Sequence, residues 1–204
     1  MYQRIFAALL FVLAFMPLTY AQTSTAKSQP GNVTFWNELQ KLCGKAFSGS
    51  IAVDTSNSPD FAGKAMVMHV RSCEKNRIRI PFFVGEDRSR TWVLTRKGNR
   101  IELKHDHRHK DGKPDAVTMY GGTSTNTGMA TRQFFPADDE TVRVVAPPAG
   151  NAPSAAANVW WIDLVPGEYF VYNLRRLGSD RLFSVKFDIS KTVAEPAAPW
   201  GWKD

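Results

Sequence analysis

"VWWIDLVPGEYFVYNLRRLGSDRLFSVKFDI" occupies positions 159–189, and its pattern decides the fold class. Three runs rich in aromatic and β-branched residues are separated by two turn signals, "VPGE" (165–168) and "GSD" (178–180). In a strand, successive side chains point to opposite faces. Phe170 and Tyr172 therefore share one face, as do Phe183, Val185 and Phe187. Pro166-Gly167 suits a type II turn, where proline pre-sets one angle and glycine supplies the positive one. The stretch predicts an antiparallel meander.

Upstream the same period-two pattern recurs in "SIAVD" (50–54), "AMVMHVRSC" (65–73) and "RIRIPFFV" (77–84). "TWVLTRKGNRIELKH" (91–105) reads as a hairpin with Gly98-Asn99 at its tip. "AVTMY" (116–120), "TRQFF" (131–135) and "TVRVV" (141–145) are weaker strand candidates, followed by a Pro/Ala-rich connection at 146–157. Before all of these, "TFWNELQKLCGKA" (34–46) spaces Phe35, Trp36, Leu39, Leu42 and Cys43 as a short amphipathic helix, with Thr34 as its N-cap and Gly44 as its stop. Roughly nine or ten short antiparallel strands and one N-terminal helix predict an all-β meander barrel, which hides its sheet edges.

"YNLRRLGSDRLFSVKFDI" (172–189), with its arginine-bearing late strand, resembles the closing meander of calycin-type barrels, the lipocalin and fatty-acid-binding superfamily. The resemblance implies a ligand cavity inside the barrel. The Gly-x-Trp signature of that family is not found near the first strand, where the chain reads "FSGSIAV" (47–53), so no binding residue is carried over. "LCGKAF" (42–47), "RIPFFVGEDRSRTWV" (79–93) and "APWGW" (198–202) resemble segments of uncharacterised bacterial secreted proteins.

The first 21 residues carry one charge, Arg4, an apolar run and small residues before a cut after Ala21, so they read as a signal peptide. Positions 22–33 read as a disordered lead-in, 34–190 as one barrel domain and 191–204 as a patternless tail. The apolar run is too short to span a membrane comfortably and no second one follows, so a secreted or periplasmic location is expected. Losing Arg4 with the leader takes the formal charge from +7 to +6. Export argues against nucleic acid as the partner of this basic chain. A small amphipathic or anionic molecule, or an anionic envelope surface, fits better. Cys43 and Cys73 are the only cysteines, and in an oxidising compartment the expectation is one disulfide.

"RIELKHDHRHKDGKPD" (100–115) carries three of the four histidines. As a strand it places Ile101, Leu103, His105, His107 and His109 on one face, and Arg100, Glu102, Lys104, Asp106 and Arg108 on the other. The charged set belongs in water, so the histidines continue the buried face and should line the end of a cavity. His105, His107, Trp92 and Leu103 are the candidate ligand-binding residues. Neutral imidazole is also a common metal ligand, which makes His105, His107 and His109 a candidate zinc or copper set. Histidines two apart on a strand lie about 7 Å apart at Cβ, and the third lies about 13 Å from the first. Any metal site would thus use two of them plus a ligand from elsewhere. Positions 88–113 hold nine Lys/Arg against three Asp/Glu, and alternation turns Arg100, Lys104 and Arg108 outward as a basic stripe.

No catalytic residue is nominated. The chain lacks a Gly-x-Ser-x-Gly elbow, a His-Glu-x-x-His pair and a phosphate-cradling glycine loop. "GGTSTNTG" (121–128) reads as a loop, and Asp138, Asp139 and Glu140 read as a solvated turn. The leading expectation is a soluble exported barrel that binds a small ligand or partner without catalysis; the alternatives are a metal-binding protein or metal-dependent enzyme using His105/His107, and a structural or envelope-interaction protein.

Overall fold

The computed structural model describes residues 29–147, 150 and 153–203. The signal peptide expected over 1–21 lies outside the described residues, as does most of the lead-in.

Helix α1 (Gly31–Gln40) precedes eleven strands. These are β1 (Ala46–Asp54), β2 (Met66–His69), β3 (Ser72–Cys73), β4 (Arg77–Val84), β5 (Asp87–Lys97), β6 (Arg100–His107), β7 (Tyr120–Thr123), β8 (Arg132–Pro136), β9 (Asn158–Val165), β10 (Tyr169–Arg176) and β11 (Leu182–Asp188). A second helix, α2 (Asp139–Val145), and a 3₁₀ turn (Pro153–Ala157) fall between β8 and β9. Ten strands run in the order β7-β6-β5-β4-β2-β1-β11-β10-β9-β8, all pairings are antiparallel, and β3 adds to β4. The sheet curls into a nearly closed barrel.

Burial alternates cleanly along β9, and inward side chains of the other long strands build the core. Met68, Ile78, Ile80, Leu94, Leu103, Val185 and Phe187 are fully buried. The β5–β6 hairpin turns on Gly98-Asn99, with Lys97 facing Arg100 and only Gly98 at positive φ. That fits a two-residue turn of type II′, where glycine belongs at the first central position.

Helix α1 covers one end of the barrel. Phe35, Trp36 and Leu39 enter the core, and the Arg96 guanidinium lies 5.9 Å above the Trp36 ring. The helix begins at Gly31, before the expected Thr34 cap, so part of the expected lead-in is ordered helix. Pro30 supplies the first carbonyl, which accepts from the Val33 and Thr34 N–H groups. A Cβ at position 31 would come within 2.3 Å of the Gly128 carbonyl oxygen, so the helix start needs glycine to reach its seat. Cys43, just beyond the helix, is disulfide-bonded to Cys73 on β3 with Cα atoms 6.1 Å apart.

Two elements correct the sequence expectation. "TVRVV" is helical rather than extended. Asp138 caps α2, accepting the Thr141 N–H at 2.9 Å, and Asp139 and Glu140 occupy its positive first turn. Capping overrides the β-branched residues. The strand expected at "AVTMY" lies four residues later, at "YGGT". Glycine is normally depleted from strands. Here it is obligatory, since a Cβ on Gly121 would sit 1.9 Å from the Leu103 oxygen and one on Gly122 would sit 1.7 Å from the Pro136 oxygen.

Strands β7 and β8 close the barrel without a ladder. The Thr141 hydroxyl instead accepts the Gly121 N–H at 2.6 Å and donates to the Gly121 carbonyl at 2.7 Å. The tail after β11 has no helix or strand, yet it is tied down. Val193 bridges to Ala46, Glu195 pairs with Arg71 at 2.8 Å, and the Trp202 ring lies under the Arg71 and Arg79 guanidiniums.

Candidate functional site

The barrel end away from α1 holds a cavity of about 180 Å³ beside His105. Its floor is aromatic. Trp92 of β5 stacks between Phe82 of β4 (centroids 4.9 Å apart) and Tyr172 of β10 (4.5 Å). His105 and His107 of β6, Tyr120 of β7, Leu174 of β10 and Phe183 of β11 form the walls. Arg90 of β5, Arg181 before β11 and Phe61 from the β1–β2 loop stand at the mouth.

Each position follows from register. Trp92 faces His105 across the β5–β6 ladder, and Leu94 faces Leu103 one step deeper. Alternation past Leu103 thus delivers His105 and His107 to the cavity, and alternation back from Trp92 delivers Arg90. Leu103 is fully buried in the core below the cavity. His109 lies beyond the end of β6, exposed, 4.0 Å from Asp115. Among the described residues no group of three or more His, Cys, Asp or Glu is placed to hold a metal.

The imidazoles are engaged with tyrosines. His105 Nδ1–H donates to the Tyr120 carbonyl at 3.0 Å, which makes Nε2 the acceptor of the Tyr172 hydroxyl at 2.7 Å. His107 Nε2 lies 3.0 Å from the Tyr120 hydroxyl. Burial pushes the His105 pKa down to about 3. His107 falls to about 4, through burial and then the neighbouring Arg90 charge. Burial raises Tyr120 to about 12 and Tyr172 well above the ordinary tyrosine range. All four groups are neutral at pH 7. The charges at the mouth belong to Arg90, paired with Asp87, and Arg181, paired with Asp54.

On the outer face of β6 the expected basic stripe is interrupted. Lys104 is buried, with its ammonium 2.7 Å from Asp138 and 2.6 Å from Glu140. Those carboxylates hold its pKa above the ordinary lysine value, against the opposing effect of burial. The acid cluster expected as a solvated turn is therefore the start of α2, folded over Lys104. Arg108 pairs with Asp106 at 2.8 Å.

Sequence reasoning reaches His105, His107 and Trp92, and misses Phe61, Tyr120 and Arg181. Tyr172 is on an inward aromatic face, and Arg90 can be found by alternation from Trp92. Phe61 lies in "NSPDFAGKA" (57–65), which carries no periodic signal. Among the described residues no helix is long and apolar enough to cross a membrane. The chain matches no family model, no curated protein and no solved structure.

Proposed function

We propose that this chain is an exported β-barrel that seats one ring of an amphipathic molecule at its open end and performs no chemistry on it. One observation carries the reading. A cavity of about 180 Å³ with a stacked aromatic floor lies among four neutral hydrogen-bonding side chains, at the end of the barrel that α1 leaves uncovered. A cavity near 150 Å³ is known to take one benzene ring, whereas drug-sized ligands occupy roughly 300–1,000 Å³. The volume fits a single substituted ring. Among the described residues its lining contains no carboxylate, cysteine or serine, its one threonine is Thr91, and imidazoles with pKa values near 3 and 4 are weak bases at pH 7. The hydroxyls and imidazoles suit recognition of a polar substituent, and the arginines at the mouth suit an acidic one.

The test is titration of the protein with phenol, benzoate and cyclohexanecarboxylate, followed by Trp92 fluorescence and by melting temperature. Binding stabilises by mass action, so saturation should raise Tm by several degrees. His107→Ala and Tyr172→Phe should weaken binding of the polar probes. If none of the three shifts Tm or fluorescence, the cavity is not a site for this class.

A further inference from the structure

Phe61 belongs to two cavities at once. It lines the 180 Å³ pocket beside His105 and also a groove of about 530 Å³ on the outer side of the loop. The groove exists because β1 leaves its neighbour early. β1 pairs with β2 only from Ala46 to Gly49, and from Ser50 to Asp54 its strand partner is β11 alone. The space where β2 would continue is bounded by residues 50–54 on one side and by 57–64 on the other. Phe61 is the one residue that lines both this slot and the interior cavity.

Phe61 is lightly held. The ends of the loop are fixed: Asp54 accepts from the Ser56 and Ser58 N–H groups, and Gly85 N–H donates to the Ala65 carbonyl. Between them, the hydrogen bonds of 59–64 stay within the loop, from Asp60 N to Ser58 Oγ, Phe61 N to Ser58 O and Lys64 N to Phe61 O. The Phe61 ring is what ties this tip to the barrel, by its 4.8 Å contact with Phe183 and the Arg90 guanidinium 5.5 Å above it. Asn57 and Gly63, both at positive φ, flank the tip. The groove also holds one cation without an ion pair among the described residues, Lys64, against one carboxylate, Asp54, already bound to Arg181.

Resting on the ligand reading above, we propose that Phe61 is a displaceable partition and that the ligand is an elongated anion. Its ring lies beside Trp92, its flexible chain runs along residues 50–54 of β1, and its acidic group meets the Lys64 ammonium. Displacing Phe61 joins the two spaces and brings the site into the roughly 300–1,000 Å³ range usual for small-molecule sites. The move breaks one aromatic pair, with Phe183, and one cation–π interaction, with Arg90. Each is of modest strength, so ligand burial can offset them.

The experiment is calorimetric titration of the full mature chain with benzoate, 3-phenylpropanoate, 6-phenylhexanoate and 8-phenyloctanoate, and with 8-phenyloctanol. Affinity should rise along the acid series once the chain reaches Lys64. Phe61→Ala should increase the preference for 8-phenyloctanoate over benzoate by roughly tenfold, and Phe61→Trp should decrease it. Lys64→Gln should reduce the preference for 8-phenyloctanoate over 8-phenyloctanol by a similar factor. If benzoate binds but longer acids bind no tighter, and Phe61 variants leave the preference unchanged, the partition is overturned while the ring site stands. If no probe binds, the ring site itself fails and this inference fails with it.

Discussion

At the end of the barrel covered by α1, β6 turns Ile101 and Leu103 inward; two residues on, the same strand turns His105 and His107 inward. The covered end is filled by Phe35, Trp36 and Leu39 and bound by the Cys43–Cys73 disulfide. The uncovered end keeps unfilled space, four neutral polar groups and a loop tip tied down by one ring. One ladder thus serves two purposes. Mainly apolar packing around α1 supplies stability at one end, and the other end can carry the imidazole–tyrosine set and a void because the first secures the strands. Buried polar groups and cavities both cost stability, which is why the gathering of the imidazole–tyrosine set around the void at the open end is informative, although Asn32, Ser124 and Gln133 are buried polar side chains at the covered end.

The sharpest break of this contrast is Trp36→Ala. Removing a fully buried indole should destabilise by about 3–5 kcal/mol, read from urea unfolding, while benzoate affinity at low temperature stays within a factor of two. Affinity that falls in proportion to stability would mean that the two ends are one unit. Cys43→Ala with Cys73→Ala comes next. Releasing a bridge across a separation of 30 residues should cost about 3–4 kcal/mol in the chain-entropy model. It too should spare the cavity.

The third test addresses the open end. His105 and His107 have folded pKa values near 3 and 4, below the ordinary 6.5. The unfolded chain therefore takes up protons first on acidification. The stability tied to each neutral imidazole is complete above pH 6.5 and is lost as the pH falls toward the folded pKa. Between pH 6.5 and 5 the pair should account for about 3 kcal/mol, and His105→Gln should remove about half of that slope. Denaturation midpoints across that range measure it, and an unchanged slope would show that His105 is not held neutral. The smallest effect expected is that of Tyr172→Phe, about 1–2 kcal/mol, because His105 Nε2 loses its donor while remaining buried. The ring resonances of His105 should shift in the same variant.

The covered end is far more legible in the sequence than the open one. Helix α1 and the inward faces of the long strands follow from periodicity, and the disulfide follows from two cysteines in a sequence that reads as exported. At the open end, His105, His107 and Trp92 can be placed because alternation carries on from Leu103 and Leu94. Tyr120 escapes because β7 runs through Gly121 and Gly122, where close backbone approach overrides propensity. Alternation assigns Lys104 to water because "TVRVV" reads as a strand, so nothing in the sequence pattern covers that face. Phe61 acts through tertiary contacts from an aperiodic loop, and no local rule marks it.

The Thr141 hydroxyl, which ties α2 to β7 at the seam with β8, has a consequence for association between molecules. Because those strands share no ladder, the four residues of β7 and the five of β8 present sheet edges that the seam must hide. Unpaired edges are templates for strands of other chains. The Thr141 hydroxyl answers both the N–H and the carbonyl of Gly121, and the Asp138 N–H adds a second bond to that carbonyl at 3.1 Å, so such a strand is denied its first foothold. Thr141→Val keeps the shape and takes away the acceptor of the Gly121 N–H, while the Asp138 N–H still serves the carbonyl. Size-exclusion chromatography after mild heating should then show dimers and larger species in the variant while the parent chain stays monodisperse; equal behaviour of the two would show that α2 shields the seam by bulk alone.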